Sequence, residues 1–522
     1  MNNKFHAFEI FKLVEFIANL QFFFIRKSFC PKNTLLSLTF ARKPMETLNA
    51  GTFYKLLIKE LGFAAKVKQD IALQQLSSFV VNPSSDSLFL LKGFAGTGKT
   101  TIISALVKNL WKIKRSGILL APTGRAAKVI SLYSNMEAQT IHKKIYFPKK
   151  TSGAGVQFVL QTNKHKNAIF IVDEASMIPD ENQDSKLFEN KGLLADLIEY
   201  VYSGQKCSLI LIGDTAQLPP VKLDMSPALE EDKLRDYYYK EVIHIELDEV
   251  VRQSQESDIL LNATRIREAL AEEFYESFRF NLTGKADVVR LMDGQEILDA
   301  IQDSYDNLGH EDTSIIVRSN KRANQYNQQI RSRILFQEEE ISSGDYLMVV
   351  KNNYFWIKPT SEAGFIANGD IVKVLEIQAI KELYGFRFAE VNVQMVDYPK
   401  MQPFDTVVIL DTLESNSPSL TYDESNKLYQ EVMQDYENET SKYKKFLKVK
   451  GNKYFNALQI KFSYAMTCHK SQGGQWNTVF IEQPYLPNGV DKDYLRWLYT
   501  AITRAQEKLY LIGFKDDFFA ED

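Results

Sequence analysis

Cysteine is scarce in this 522-residue chain: there are three, Cys30, Cys207 and Cys468. They lie far apart with no Cys-x-x-Cys spacing, which argues against a disulfide framework or a zinc site and fits a reducing, cytoplasmic setting. A bulk charge of one sign is also missing. Lys and Arg number 63 against 66 Asp and Glu, a net charge of −3. No general field draws nucleic acid, so phosphate contacts would need a local basic track. No apolar run reaches the roughly 20 residues that a membrane span requires. Residues 16–25 come nearest, but Glu15 and Arg26 close the run, and Glu9 and Glu15 spoil it as a signal peptide. Internal repeats and long low-complexity stretches are absent too.

What remains is ordinary globular composition, 45% hydrophobic and 25% charged. The length calls for roughly two to four compact units. Residues 1–44 are Phe-rich and unlike the rest; they read as an extension, disordered or created by a start codon set upstream of Met45. From about Ala64 short apolar runs end in polar loops: Leu88-Phe89-Leu90-Leu91, Ile118-Leu119-Leu120, Ile169-Phe170-Ile171-Val172 and Leu209-Ile210-Leu211-Ile212. Such runs suit strands buried on both faces of a parallel sheet, with helical crossovers between them. A second set follows at Ser314-Ile315-Ile316-Val317, Thr478-Val479-Phe480-Ile481 and Leu509-Tyr510-Leu511-Ile512. Residues 355–455 break the pattern with alternating strands and then a charged, Tyr-rich helical stretch, which reads as an insertion.

The strongest motif is Gly93-Phe94-Ala95-Gly96-Thr97-Gly98-Lys99-Thr100, between a strand and an apolar helix. That context defines a P-loop: glycines let backbone N–H groups curl round phosphate, Lys99 adds a cation, and the Thr100 hydroxyl can hold Mg²⁺. The expected ligands are therefore a nucleoside triphosphate and Mg²⁺. Asp173 and Glu174 stand at the tip of the strand ending at Val172. There Asp173 is placed to hold Mg²⁺ through its water shell, and Glu174 to orient or deprotonate the attacking water. Alone, an Asp-Glu pair would be a loop start or a helix cap. Another strand ends in Gly213-Asp214-Thr215-Ala216-Gln217-Leu218-Pro219-Pro220. Gln217 is placed to reach the γ-phosphate or the lytic water, and the diprolyl step stiffens the loop.

The Ala121-Pro122-Thr123-Gly124-Arg125-Ala126-Ala127 turn opens a helix and offers free N–H groups to a phosphate, with Arg125 adding charge. Thr467-Cys468-His469-Lys470-Ser471-Gln472-Gly473-Gly474-Gln475 groups several donors in one loop. Residues 143–155 carry four lysines and a Ser152-Gly153-Ala154-Gly155 turn; they read as a hairpin or, nearly as well, as a flexible basic loop.

This series, with Val251-Arg252-Gln253 and Tyr499-Thr500-Ala501-Ile502-Thr503-Arg504-Ala505, resembles the motifs of superfamily 1 helicases. The resemblance is to the 5′→3′ group of RecD-like and Dda-like DNA helicases, and it runs from about Gln69 to Gly513. It implies an α/β fold of two P-loop (RecA-like) parallel-sheet domains. The first covers 45–250 with a hairpin insertion at about 143–167. The second covers 251–354 and 456–522 and is interrupted by a mostly β, SH3-like subdomain at 355–455. By resemblance Gln69 reads adenine, and the nucleotide is held by Gly93, Ala95, Gly96, Thr97, Gly98, Lys99, Thr100, Thr101, Asp173, Gln217 and Gly473. Arg252 and Arg504 reach the γ-phosphate from the second domain; without the P-loop both would read as ordinary surface arginines. Pro122, Thr123, Gly124, Arg125, Thr467, His469 and Lys470 hold single-stranded DNA, and the hairpin parts the duplex. The implied protein is a monomeric, cytoplasmic ATP-dependent motor working at single-strand/duplex junctions, with no membrane partner. The alternatives are a nucleic-acid-stimulated ATPase that translocates without unwinding, or one acting on RNA.

Overall fold

The computed structural model describes residues 48–150, 156–179, 192–250, 257–358 and 360–520. The extension at 1–44, the hairpin tip at 151–155 and Arg252 lie outside them.

Eight strands build the first half: β1 (Ser87–Gly93), β2 (Ser116–Ala121), β3 (Ala138–Thr140), β4 (Tyr146–Lys150), β5 (Val156–Leu160), β6 (Ala168–Val172), β7 (Ser208–Gly213) and β8 (Glu241–Leu247). Six of them form a parallel sheet in the order β3-β2-β6-β7-β1-β8. Every residue of β6 is fully buried, as are Leu88 to Leu91 of β1. Helices cover both faces, which is why these strands read as unbroken apolar runs rather than alternating ones. The motif-bearing turns all leave the carboxyl ends of these strands, where open α/β sheets place ligands.

The hairpin β4–β5 is antiparallel and stands apart from the sheet. It starts later than the sequence suggests, because Lys143 and Lys144 belong to the helix Ile141–Ile145. Its base is fastened. The Tyr146 hydroxyl donates to Asp196 at 2.5 Å, and the Phe158 ring lies 4.3 Å from that of Tyr354.

The second half supplies β9 (Val288–Leu291), β10 (Thr313–Val317), β11 (Tyr346–Val349), β12 (Ile371–Leu383), β13 (Phe386–Met395), β14 (Phe404–Ile409), β15 (Leu458–Phe462), β16 (Ala465–Thr467), β17 (Trp476–Glu482) and β18 (Ala505–Ile512). The order β16-β10-β17-β18-β9 makes a second parallel sheet, and β11 to β15 close into a barrel. Tyr384 and Gly385 both have positive φ (57° and 69°), the pattern of a tight primed turn between β12 and β13. Helices Tyr422–Gln434 and Lys442–Lys450 pack on the barrel between β14 and β15.

The barrel reaches beyond the expected 355–455 at both ends, since β11 and β15 are barrel staves. Four- and five-residue apolar strands look alike whether a barrel or a parallel sheet buries them, so periodicity could not assign them. A buried ion pair pins this junction. Arg331 meets Asp345 with two bonds of 3.0 Å, and the Tyr464 hydroxyl donates to the same carboxylate at 2.9 Å. No helix among the described residues is long and apolar enough to cross a membrane.

Candidate active site and nucleic-acid interface

The P-loop leaves β1 and enters the helix Lys99–Asn109. Gly96 (φ 74°) and Gly98 (φ 86°) adopt the left-handed conformation that side-chain-bearing residues resist. Thr97 is fully buried, and its hydroxyl donates to the Phe94 carbonyl at 2.8 Å. The Lys99 ammonium donates to the carbonyls of Gly93 (2.6 Å) and Phe94 (2.9 Å), so it is held at the loop's mouth by weak, exchangeable partners. Gln69 sits behind the loop rather than in the cleft. It is 1% exposed, its amide donates to Thr97 O at 2.8 Å, and its carbonyl accepts from Lys66 N at 3.1 Å. In this arrangement both its polar ends brace the P-loop, and neither is offered to a base.

A cleft of about 650 Å³ opens from the loop towards the second sheet. Lys99, Thr100, Thr101, Asp173, Glu174 and Gln217 line it from the first half, and Gly473 and Arg504 from the second. Asp173 accepts from the Glu174 N–H at 2.9 Å. Burial, and then the neighbouring Glu174 carboxylate, raises its pKa above the usual carboxylate range. Glu174 itself has φ 53°, a strained value for a residue with a side chain. Gln217 is 7% exposed and its Oε1 is buried with no partner, an acceptor aimed into the cleft.

These features fit a nucleoside triphosphate with a divalent cation. Left-handed glycines leave the phosphate cradle open, an unpartnered amide faces it, and the buried Asp173 carboxylate lines the same cleft as Thr100. No cluster of three or more His, Cys, Asp or Glu that could hold a metal occurs among the described residues. A hydroxyl, one carboxylate and substrate phosphates are the donor set that Mg²⁺ accepts.

Arg504 crosses from the second sheet. It is 3% exposed, lies 3.6 Å from Glu174, and is aimed by bonds to Thr500 O (3.0 Å) and Gly474 O (3.3 Å). The helix before it, Lys492–Ile502, also grips the first half. The Ala95 N–H donates to the Tyr499 hydroxyl at 2.8 Å, and that hydroxyl donates to Asp214 at 2.7 Å. Leu218 N donates to the Thr500 hydroxyl at 2.8 Å, and Gln472 donates to Leu218 O at 2.7 Å. Burial raises the Asp214 pKa, opposed by Lys99 and by the Tyr499 bond.

The family model for the UvrD-like helicase C-terminal domain matches residues 462–512, and one described as an AAA domain matches residues 78–223. The chain is 25% identical to the ATP-dependent DNA helicase dda of Enterobacteria phage T4, over 81% of this chain and 93% of that one. The chain is similar to the superfamily 1 helicases. It is also 24% identical to an uncharacterized protein of Acanthamoeba polyphaga mimivirus, over 85% and 98% of the two chains. The ATP-dependent RecD2 DNA helicase of Deinococcus radiodurans is 23% identical over 82% of this chain, which spans about half (47%) of that protein's length. A structure of Bacteroides Pif1 bound to single-stranded DNA covers 88% of this chain and 95% of its own, at 17% identity and a TM-score of 0.37.

The two loops expected on nucleic acid meet each other. A Cβ on Gly473 (φ 74°) would lie 2.8 Å from the Ala126 Cβ and 3.0 Å from the Thr123 hydroxyl. Thr123 caps the helix Gly124–Ser134, accepting from Ala126 N at 3.2 Å, and Pro122 precedes it half-buried. On the other side Thr467 is half-buried, His469 is exposed, and burial pushes Lys470 down to about 8.

Arg125 stands elsewhere than a solvent-facing phosphate ligand would. Its guanidinium lies 4.0 Å from the centre of the Trp476 ring, and its Nη1 is buried without a partner. The aromatic face draws it between the two sheets. Gly124 is shielded too: a Cβ there would come within 2.8 Å of Asp370 from the barrel. Tyr499, Thr500, Asp214, Gln472 and Trp476 are the residues that reading the sequence did not single out. Tyr499 and Thr500 stand in the same motif as Arg504, Asp214 in that of Gln217 and Gln472 in that of His469, and those motifs were the available signal.

Proposed function

We propose that this protein is an ATP-dependent DNA motor that moves 5′→3′ along single-stranded DNA and parts duplex at the junction. The observation that carries the reading is the cleft, with a P-loop on one wall and Arg504 on the other. In this reading Lys99 and the P-loop N–H groups hold the β- and γ-phosphates. The Thr100 hydroxyl and Asp173 would hold Mg²⁺, which when bound neutralises charge on the phosphate oxygens. Glu174 receives the proton of the attacking water, and Gln217 orients that water or the γ-phosphate. Arg504 leaves Glu174 for the phosphoryl oxygens, where a guanidinium fork best meets developing charge. Arg252 is expected to act beside it.

One chain supplies both walls, so a monomer suffices. Nucleotide binding then draws the sheets together and hydrolysis releases them, changing the spacing of the contacting loops at Thr123 and at Thr467 to Lys470. Similar proteins carry the names DNA helicase and RecD2 DNA helicase, and the polarity follows that group.

The test measures ATP hydrolysis without nucleic acid, with single-stranded DNA and with RNA, then unwinding of duplexes bearing a 5′ or a 3′ tail. Stimulation by DNA and a 5′-tail preference are expected. A 3′ preference defeats the polarity, stimulation by RNA alone defeats the substrate, and DNA-stimulated turnover without strand separation leaves a translocase.

A further inference from the structure

We propose that the Tyr499 hydroxyl is a latch that holds the nucleotide cleft shut, joining the second half to the P-loop backbone and to Asp214 of the first; this rests on the ATPase reading above. Tyr499 and Asp214 are each 1% exposed. The hydroxyl has one hydrogen, and it goes to Asp214 Oδ2 at 2.7 Å. The Ala95 N–H therefore meets a lone pair, at 2.8 Å. The other oxygen of Asp214 is taken by Ala216 N at 3.0 Å. One atom of the second half thus satisfies two groups of the first, one in the P-loop and one at the end of β7. Around it the same halves are clasped by Thr500 and Gln472 on Leu218 and by Arg267, which lies 4.4 Å over the Phe94 ring.

The placement makes the bond specific to the closed cleft. With the halves apart, water reaches both Ala95 N–H and Asp214, and neither needs the tyrosine. With the halves together water is largely excluded, and without the hydroxyl a part-buried N–H and a buried carboxylate oxygen would each lose a partner, which is costly. The hydroxyl therefore biases the equilibrium towards closure without touching nucleotide. A ligand that needs both walls binds in proportion to the closed fraction, so the latch sets affinity and leaves the chemical step alone. Tyr499 is on this account a positioning residue.

Tyr499→Phe in the full chain keeps the ring and removes the latch. The apparent KM for ATP in DNA-stimulated hydrolysis should rise by about tenfold, the size of one buried hydrogen bond, with kcat within about twofold of the parent. Asp214→Asn attacks the same bond from its other end and should raise KM similarly. The double variant should be no worse than the poorer single one, because both remove one contact. An unchanged KM in Tyr499→Phe, a loss confined to kcat, or additive effects in the double variant would overturn the latch. Direct binding of a ribose-labelled fluorescent ATP separates this from the functional reading. Weaker binding in Tyr499→Phe with no turnover in the parent would keep the latch and defeat the ATPase. Turnover with equal binding in both would do the reverse.

Discussion

The two walls of the nucleotide cleft are built differently. The first half offers backbone: a P-loop wound on Gly96 and Gly98, and carboxylates at the tips of fully buried strands. The second half offers side chains that reach out, Arg504, Tyr499, Thr500 and Gln472, each ending on a group of the first. Backbone at the ends of a packed sheet is preorganised and stays in place when the cleft opens. Side chains reaching from another sheet act only when it is closed. Binding strength is thus stored largely in one wall, and its coupling to motion in the other.

The sharpest way to break this contrast is to remove one cation from each wall. Lys99→Ala should abolish measurable turnover and weaken nucleotide binding, because the fixed wall loses its phosphate charge. Arg504→Ala should lower kcat by about 10³-fold or more while nucleotide still binds. Steady-state hydrolysis beside fluorescent-nucleotide titration checks both. Equal losses of binding in the two variants would erase the distinction between holding and coupling.

Glu174→Gln probes the fixed wall from within. The amide is isosteric but a poor base, so turnover should fall by about 10² to 10⁴-fold with ATP affinity largely kept. It also removes the charge that Arg504 faces at 3.6 Å, freeing the guanidinium for phosphate. Substantial DNA-stimulated turnover in this variant would mean that another residue takes the proton.

The fixed wall is also the part that sequence reveals. A phosphate cradle needs glycine where φ is positive and a strand-to-helix turn around it, and both leave local marks. The reaching wall leaves few. Tyr499 meets Ala95 404 residues away and Asp214 285 residues away, and nothing near Tyr499 in the chain encodes either partner. Arg125 shows the converse. Its place after a strand suits a phosphate ligand, yet the Trp476 ring decides where it lies. Two parallel sheets with an intervening β unit were readable from apolar runs, but the staves at Tyr346–Val349 and Leu458–Phe462 were not distinguishable from sheet strands.

A smaller effect is expected at the hairpin, which belongs to the first half but touches neither wall of the cleft among its described residues. Replacing residues 147–159 with a short Gly-Ser link keeps Tyr146 and its bond to Asp196. DNA-stimulated hydrolysis should be spared and strand separation slowed by about tenfold, about 1.4 kcal/mol in the barrier. Unwinding at the parent rate would remove the hairpin as a wedge.

The smallest expected effect is a pH dependence on the DNA side of the reaching half. Burial, the one cause acting on it, pushes the Lys470 ammonium down to about 8. The neighbouring Lys461 is pushed to about 8 as well, by burial first and then by Lys470, but its ammonium is already bonded to the Ser415 carbonyl. A phosphate binds the charged form of Lys470. Below pH about 8 the free protein already carries that charge, and binding is insensitive to pH. Above it the amine is neutral, so each binding event must take up a proton and affinity falls as pH rises. Between pH 7 and 9 the loss should approach tenfold, one proton per event. Lys470→Arg holds its charge throughout and should flatten the profile, measured by fluorescence anisotropy of labelled single-stranded DNA at constant ionic strength. A slope that survives in Lys470→Arg would take the lysine off the DNA path and assign the titration to another group. A flat profile in the parent would mean that the ammonium meets solvent rather than phosphate.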